Sequence, residues 1–445
     1  MFWRFVLRIS DVKGCSQVKI LIKKGRVIDP KNGRDEILDI FINGGIIEKI
    51  DKNIREKGDN THSLDASGLV VAPGLIDVHT HLREPGYEYK ETIRTGTMAA
   101  VKGGFTSVVC MANTDPVNDN KSVTEYIIRR AKTDGACRVF PCGAITRGIE
   151  GKELAEIGEM YAEGIVAISD DGKSVKNSEI LRKALEYVKL FQIPVISHCE
   201  DEDLSKGFVH EGKASAMTGL DAVPAIAEEI IVKRDMAIAE YVNSRLHLTH
   251  ISSRGSLDAI REMKRRFNQI TCDTCPHYFS LTDKATLSFD TSAKVNPPLR
   301  TKESVGAMKE ALRNDTIDII ATDHAPHDFT SKDVEFNMAT SGISGLETAL
   351  GLALALVHEG VLSLTALIRK LTENPAKLLQ LPYGELAPGS PADIIIFDPD
   401  LEWTVDKNNF LSKGKNTPFH GWTLKGKNLL TIVDGKIAYK DPSFK

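Results

Sequence analysis

The middle of the chain alternates short apolar strand patterns with amphipathic helical runs, and that alternation restricts the fold more than any other feature. Strand patterns fall at residues 76–81, 106–113, 138–146, 165–171, 193–198, 246–251, 269–279 and 317–324, with helical runs such as 178–191 and 257–267 between them. Eight strands, each followed by a helix, predict an α/β protein of the closed (β/α)8 kind, a TIM-type barrel, rather than an open sheet. The flanks read as β structure. Residues 19–72 carry turn signals at Lys24-Gly25 and Gly44-Gly45, and residues 384–445 carry one at Asp434-Gly435. Neither flank is a comfortable domain alone, so a small composite β-sandwich domain built from both chain ends is expected beside a barrel domain over 73–383. Residues 1–18 form an N-terminal extension with no assigned role.

Composition excludes several function classes. With 42% hydrophobic and 27% charged residues, the 445-residue chain has material for a sizeable core. A net charge of −4 gives no sequence-wide field to attract nucleic acid or an anionic membrane, and neither partner is expected. The opening run is broken by Arg4 and Arg8 and does not read as a signal peptide. No stretch approaches the roughly 18 uninterrupted apolar residues of a membrane span, and the apolar run 346–357 reads as a buried barrel helix. Seven cysteines, several of them inside strand patterns (Cys110, Cys142, Cys199), predict reduced thiols and a cytoplasmic address.

Histidines and acids collect at the strand ends. His79 and His81 close strand one, Asp171 strand four, His198 strand five, His250 strand six and Asp323 strand eight. All lie on the C-terminal side, where barrels carry their active sites. In a strand, positions i and i+2 share a side, so His79 and His81 can reach one ion. A single histidine at a strand end is more often a hydrogen-bonded polar residue, and a single aspartate more often a helix cap. Four of twelve histidines converging with two acids on one face predict a metal centre instead.

The run Gly74-Leu-Ile-Asp77-Val-His79-Thr-His81-Leu-Arg83-Glu-Pro-Gly resembles the opening of cyclic amidohydrolases, specifically dihydroorotases of the bacterial single-function type. Met111-Ala-Asn113-Thr, Ser169-Asp-Asp171-Gly, Ser197-His198-Cys-Glu, Thr249-His250-Ile-Ser, Lys294-Val-Asn296-Pro-Pro-Leu-Arg and Ala321-Thr-Asp323-His-Ala-Pro-His327 resemble the remaining signatures, in order. Ala112 stands where the family usually has proline. Many relatives bridge two metals with a carboxylated lysine at strand four, but here the strand ends in Asp170-Asp171, and Lys173 lies past the glycine. In the branch resembled, an aspartate bridges. Asp171 is then the expected bridge, with Asp170 facing away by strand alternation.

The resemblance implies two zinc ions. His79, His81 and Asp323 would hold the first, His198 and His250 the second, with Asp171 between them; cobalt or manganese suit the same donors. It implies Asp323 as the catalytic proton carrier in the reversible closure of N-carbamoyl-L-aspartate to dihydroorotate, a step of pyrimidine biosynthesis. Arg83, emerging on the same side as His81, would grip the substrate carboxylate with Asn113 and His327; Asn296 would contact the ring, and main chain at Ser341 and Gly342 would complete the pocket. Cys272 and Cys275 read as barrel packing, His277 as the end of strand seven lining the pocket, and Gly103-Gly104 as a helix stop. Alternatives are an allantoinase or hydantoinase, or a silent scaffold for aspartate transcarbamoylase. An active enzyme in complex with that transcarbamoylase and a homodimer are both compatible with the sequence.

Overall fold

The computed structural model of the chain describes residues 19–55 and 61–444; the extension over 1–18 lies outside them. Eight parallel strands form the barrel in chain order: Leu75–Thr80, Phe105–Cys110, Arg138–Gly143, Ala167–Ile168, Val195–Ser197, Leu246–Leu248, Ile270–Thr274 and Ile319–Ile320. A parallel bridge between Thr80 and His324 joins the last strand to the first, with His81 N–H donating to His324 O at 2.9 Å. Asp77 reinforces that seam. Its carboxylate accepts from Thr322 N–H at 3.1 Å and from Thr322 Oγ1 at 2.5 Å, while complete burial pushes its pKa up to about 6. An outer ring of helices follows, among them Ile93–Gly103, Lys121–Asp134, Ser178–Val188, Ile226–Val242, Arg254–Lys264, Lys302–Arg313 and Ala349–His358.

The helix stop at Gly104 takes the left-handed conformation (φ 95°) that a residue without a Cβ adopts freely, and the apolar run 346–357 lies largely in the buried helix Ala349–His358. One expected strand is shorter than its pattern. Residues 269–279 divide into the strand Ile270–Thr274 and a one-turn helix Pro276–Ser280, because Pro276 cannot donate to the ladder and suits the first position of a helix.

Both chain ends meet in a second sheet of eight strands. Its path runs Lys436–Lys440, Thr423–Val433, Ile394–Thr404, Val70–Pro73, Lys19–Asp29, Arg34–Asn43 and Ile46–Asp51, with Thr61–Asp65 also paired to Lys19–Asp29. Hydrogen bonding is continuous through it, so the expected sandwich layers are arms of one sheet. The arms close where Ala392 N–H donates to Gly45 O at 2.9 Å and Ile47 N–H to Ser390 O at 3.0 Å. Ile20, Ile40 and Val71 from one end share a core with Ile394, Leu430 and Ile432 from the other. Gly74 carries the chain from this sheet into the barrel, and a Cβ there would lie 2.1 Å from Thr106 Oγ1, so only glycine fits the crossing. The sheet rests on the barrel through Asn428, which donates to Val101 O and Lys102 O, and through Arg138, paired with Asp393 and Asp434. No helix among the described residues is long and apolar enough to cross a membrane.

Candidate metal centre and substrate cavity

The C-terminal strand ends surround a cavity of about 500 Å³. Of the six side chains singled out, His81, Asp171, His198, His250 and Asp323 line its floor, and His79 lies buried against them. Asp171 Oδ2 lies 3.3 Å from His79 Nε2 and 3.5 Å from His81 Nε2; Asp171 Oδ1 lies 3.3 Å from His250 Nε2 and 3.5 Å from His198 Nδ1. Asp323 Oδ1 stands 3.1 Å from His81 Nε2 and 3.4 Å from His79 Nε2. Two donor sets result, His79–His81–Asp171 and Asp171–His198–His250, each compact enough to hold an ion, with Asp171 common to both. Asp170 points away, accepting from the amides of Ile145 and Thr146 at 2.8 and 3.0 Å. His250 and Asp323 both hold positive φ (41° and 47°), an uncommon backbone state for residues other than glycine that turns their side chains off the strand ends toward the cavity.

Hydrogen bonds behind the imidazoles decide which nitrogens face inward. Thr249 Oγ1 donates to Asp273 at 2.9 Å, so at 2.7 Å from His79 Nδ1 it acts as acceptor, and that nitrogen carries the proton. Asn113 donates through Nδ2 to Asp171 O at 3.3 Å, which leaves its Oδ1 to accept from His81 Nδ1 at 2.9 Å. His198 Nε2 donates to Glu200 at 3.0 Å. In the neutral rings, His79 Nε2, His81 Nε2 and His198 Nδ1 therefore aim lone pairs at carboxylate oxygens. His79 Nε2 is buried with no hydrogen-bond partner. Acceptors facing acceptors at 3.1–3.5 Å require positive charge between them, and imidazole with carboxylate is a donor set suited to divalent metals.

Without metal, protons do this work. Burial opposes charge on His79, yet Asp171 and Asp323 push its pKa up to about 10; burial opposes charge on His198, yet Asp171 and Glu200 raise it to about 10 as well. Burial alone would raise Asp171 and Asp323, but the charge on His79 and hydrogen bonds from the surrounding imidazoles hold both carboxyls well below the usual range.

The wall carries the other expected residues. Arg83, Asn113, Asn296, His327, Ser341 and Gly342 all line the cavity. Arg83 reaches it by a different route from strand alternation, since the strand ends at Thr80 and Arg83 takes φ 62°. Its Nε donates to Pro326 O at 3.3 Å and its Nη2 lies 3.5 Å from His327 Nε2, which leaves Nη1 for a ligand. His327 donates Nε2–H to Ser341 O at 2.8 Å, and burial beside Arg83 pushes its pKa down to about 2, so the ring is neutral. The Gly342 amide donates to Lys294 O at 2.9 Å and its carbonyl accepts from Asn416 at 2.9 Å. Each carbonyl oxygen keeps a second lone pair, so these bonds fix the Ser341–Gly342 main chain on the cavity wall. His277 does not line the cavity; it sits in the short helix after strand seven, and burial pushes its pKa down to about 4.

A model of the amidohydrolase family matches residues 70–438. Over 424 residues the chain is 54% identical to a dihydroorotase of Geobacter metallireducens, an alignment covering 95% of this chain and 100% of that protein. It is 51% identical over 425 residues to a dihydroorotase of Syntrophus aciditrophicus, again covering 95% and 100%. The chain belongs to the amidohydrolase family, in its dihydroorotase branch. Among solved structures, an L-hydantoinase (dihydropyrimidinase) from Arthrobacter aurescens superposes with a TM-score of 0.86 at 23% identity, over 96% of this chain and 97% of that one, a likeness of fold.

Several residues of this amidohydrolase site escaped the spacing argument. Thr249, Asp273 and His247 form a buried chain behind His79, with His247 Nε2 at 2.8 Å from Asp273. Asp273 also accepts the His250 amide at 2.6 Å, which fixes the turn that presents that ring. The period-two pattern of strands six and seven places Thr249 and Asp273 on neighbouring strand ends, but their pairing depends on register. Glu200 and Lys294 line the cavity from loops and carry no periodic signal.

Proposed function

We propose that the protein is a dihydroorotase, interconverting N-carbamoyl-L-aspartate and dihydroorotate for pyrimidine biosynthesis with two zinc ions, to both of which Asp171 would be a ligand. Identity of 54% to a dihydroorotase over nearly the full length supports the reaction. The observation that carries the substrate assignment is Arg83 on the cavity wall beside the metal donors, a cation suited to a carboxylate that dihydrouracil and hydantoin lack.

His79, His81 and Asp323 would hold one ion and His198 with His250 the other. When bound, such a pair supplies water acidified to near-neutral pKa and polarises the ring carbonyl. Asp323 carries a carboxyl whose low pKa keeps it ionised, and its Oδ1 sits beside His81 at the cavity floor. It takes the proton of the attacking water and delivers it to the departing ring nitrogen, serving as base and then acid. In the synthetic direction the same carboxyl removes the proton from the ureido nitrogen as the C–N bond forms, and returns it to the hydroxide expelled from the carboxyl carbon, which leaves as water. Arg83 and the free Nδ2 hydrogen of Asn113 hold the substrate carboxylate, so the scissile amide is presented in one orientation. His327 and Ser341 complete that wall, and Gly342 keeps it open.

Six free, buried cysteines among the described residues favour a reducing, cytoplasmic setting. Self-association as a dimer and docking to aspartate transcarbamoylase belong to the same reading, and the solution mass of the protein alone and mixed with that enzyme tests both.

The test compares turnover of dihydroorotate and dihydrouracil by zinc-loaded protein and its Arg83→Met variant, followed by ultraviolet absorbance. Wild type is expected to prefer dihydroorotate. Loss of a charge-assisted hydrogen-bonded pair, at roughly 1.5–3 kcal/mol, should cut kcat/KM for dihydroorotate by about 10–150-fold and leave dihydrouracil nearly unaffected. Equal turnover of both rings by wild type would overturn the substrate.

A further inference from the structure

We propose that Glu200 is a positioning residue that holds the His198 imidazole and the Asn296 amide with one carboxylate oxygen, coupling the second metal group to recognition of the substrate ring. The inference rests on the metal and substrate reading above. Glu200 Oε2 lies 3.0 Å from His198 Nε2 and accepts from Asn296 Nδ2 at 2.9 Å. An ionised carboxylate only accepts, so both partners must present hydrogens. For His198 this fixes the tautomer with the proton on Nε2, leaving the Nδ1 lone pair facing Asp171 Oδ1 at 3.5 Å and His250 Nε2 at 2.9 Å. For Asn296 it fixes the amide with NH2 toward Glu200, leaving Oδ1 as an acceptor on the cavity wall.

An acceptor at that place selects a ligand with a ring N–H, as in a cyclic ureide, over one whose nitrogen is alkylated or replaced by oxygen. The carboxylate is held from behind. Glu200 N–H donates to Ser174 Oγ at 2.8 Å, and Ser174 Oγ donates in turn to His198 O at 2.5 Å, so the turn between His198 and Glu200 is pinned at both ends. A solvated loop glutamate would be exposed, but the Glu200 side chain is 12% exposed and lines the cavity. One oxygen thus sets an inward lone pair on the metal side and an inward acceptor on the substrate side, and neither can be lost without disturbing the other.

Glu200→Ala, Glu200→Gln and Asn296→Ala, singly and as the double alanine variant, separate this role from a structural one. Zinc affinity is read on the intact protein by competition with a chromophoric chelator, and KM and kcat with dihydroorotate. Glu200→Ala is expected to lose about 10–100-fold in affinity for one of two ions. Its KM should rise, and the alanine effects on KM should be less than additive in the double variant. Glu200→Gln, whose amide oxygen can accept the same two hydrogen bonds, should recover KM and part of the zinc affinity. Should Glu200→Ala fail to fold, Asn296→Asp sets carboxylate against carboxylate, and its raised KM is expected to be relieved in the Glu200→Gln/Asn296→Asp pair. An active wild type with unchanged zinc affinity and KM in Glu200→Ala, strictly additive alanine effects, or no relief in the charge-swapped pair overturns the inference alone. A wild type that binds no zinc overturns the functional reading and this inference with it.

Discussion

Loading the centre with zinc should expel protons, in a number the geometry sets. In the metal-free protein the carboxylates of Asp171 and Asp323 are neutralised by imidazolium at His79 and His198, each with its pKa pushed up to about 10. At pH 8 both rings are almost wholly protonated, and a zinc ligand must be neutral imidazole. Filling both sites therefore releases at least about two protons per chain. Calorimetric titration in buffers of different ionisation enthalpy gives that number from the slope of observed heat against buffer enthalpy. Protons compete with metal, so the apparent affinity for each ion should fall as pH falls, by about one decade per pH unit well below pH 10, or about two decades for the pair together. The same shifts carry a stability consequence. A histidine pKa raised above its ordinary 6.5 contributes stability that is whole below pH 6.5 and lost as pH rises through about 10. Metal-free protein should then melt at lower temperature at pH 10 than at pH 7, while zinc-loaded protein, whose rings are already neutral, should show no such loss. Zinc binding without proton release, or with affinity flat between pH 7 and 9, would refute the charge balance on which the site is built.

Two further outcomes follow from single side chains. Asp323→Asn keeps the shape but removes the proton carrier, and should lower kcat by about 10²–10⁴-fold at saturating zinc; unimpaired turnover would remove Asp323 from catalysis. Gly342→Ala places a Cβ 2.7 Å from Ala325 Cβ and 3.1 Å from His327 Nε2 at φ 140°, so a strain of roughly 1–3 kcal/mol should appear as a lower melting temperature and a raised KM, and unchanged values of both would show the wall has room.

Much of the fold was legible because barrel strands and helices differ in hydrophobic period, and strand order follows chain order in a parallel barrel. The site was legible where alternation carries on past a strand's end: Asp170 and Asp171 point opposite ways although the strand itself stops at Ile168. It was less legible once the chain left a strand. Arg83 reaches the cavity through a positive φ, and the pattern over 269–279 hid a helix that withdraws His277 from the wall. Glu200, Asp273 and Thr249 act through contacts between different strand ends or loops, which no local spacing encodes. The composite β domain required pairing across more than three hundred residues: Val70–Pro73 is hydrogen-bonded to Ile394–Thr404, and only the turn signals at each end hinted at partners.

The most direct measurement is cyclisation itself. N-carbamoyl-L-aspartate is incubated with zinc-loaded protein and with chelator-stripped protein, and the mixture is followed by proton NMR. The expected result is dihydroorotate appearing only with the loaded protein and reaching the same equilibrium mixture when dihydroorotate is the starting material. Unchanged carbamoyl aspartate, under conditions in which the same loaded protein opens hydantoin or dihydrouracil, would contradict the assignment.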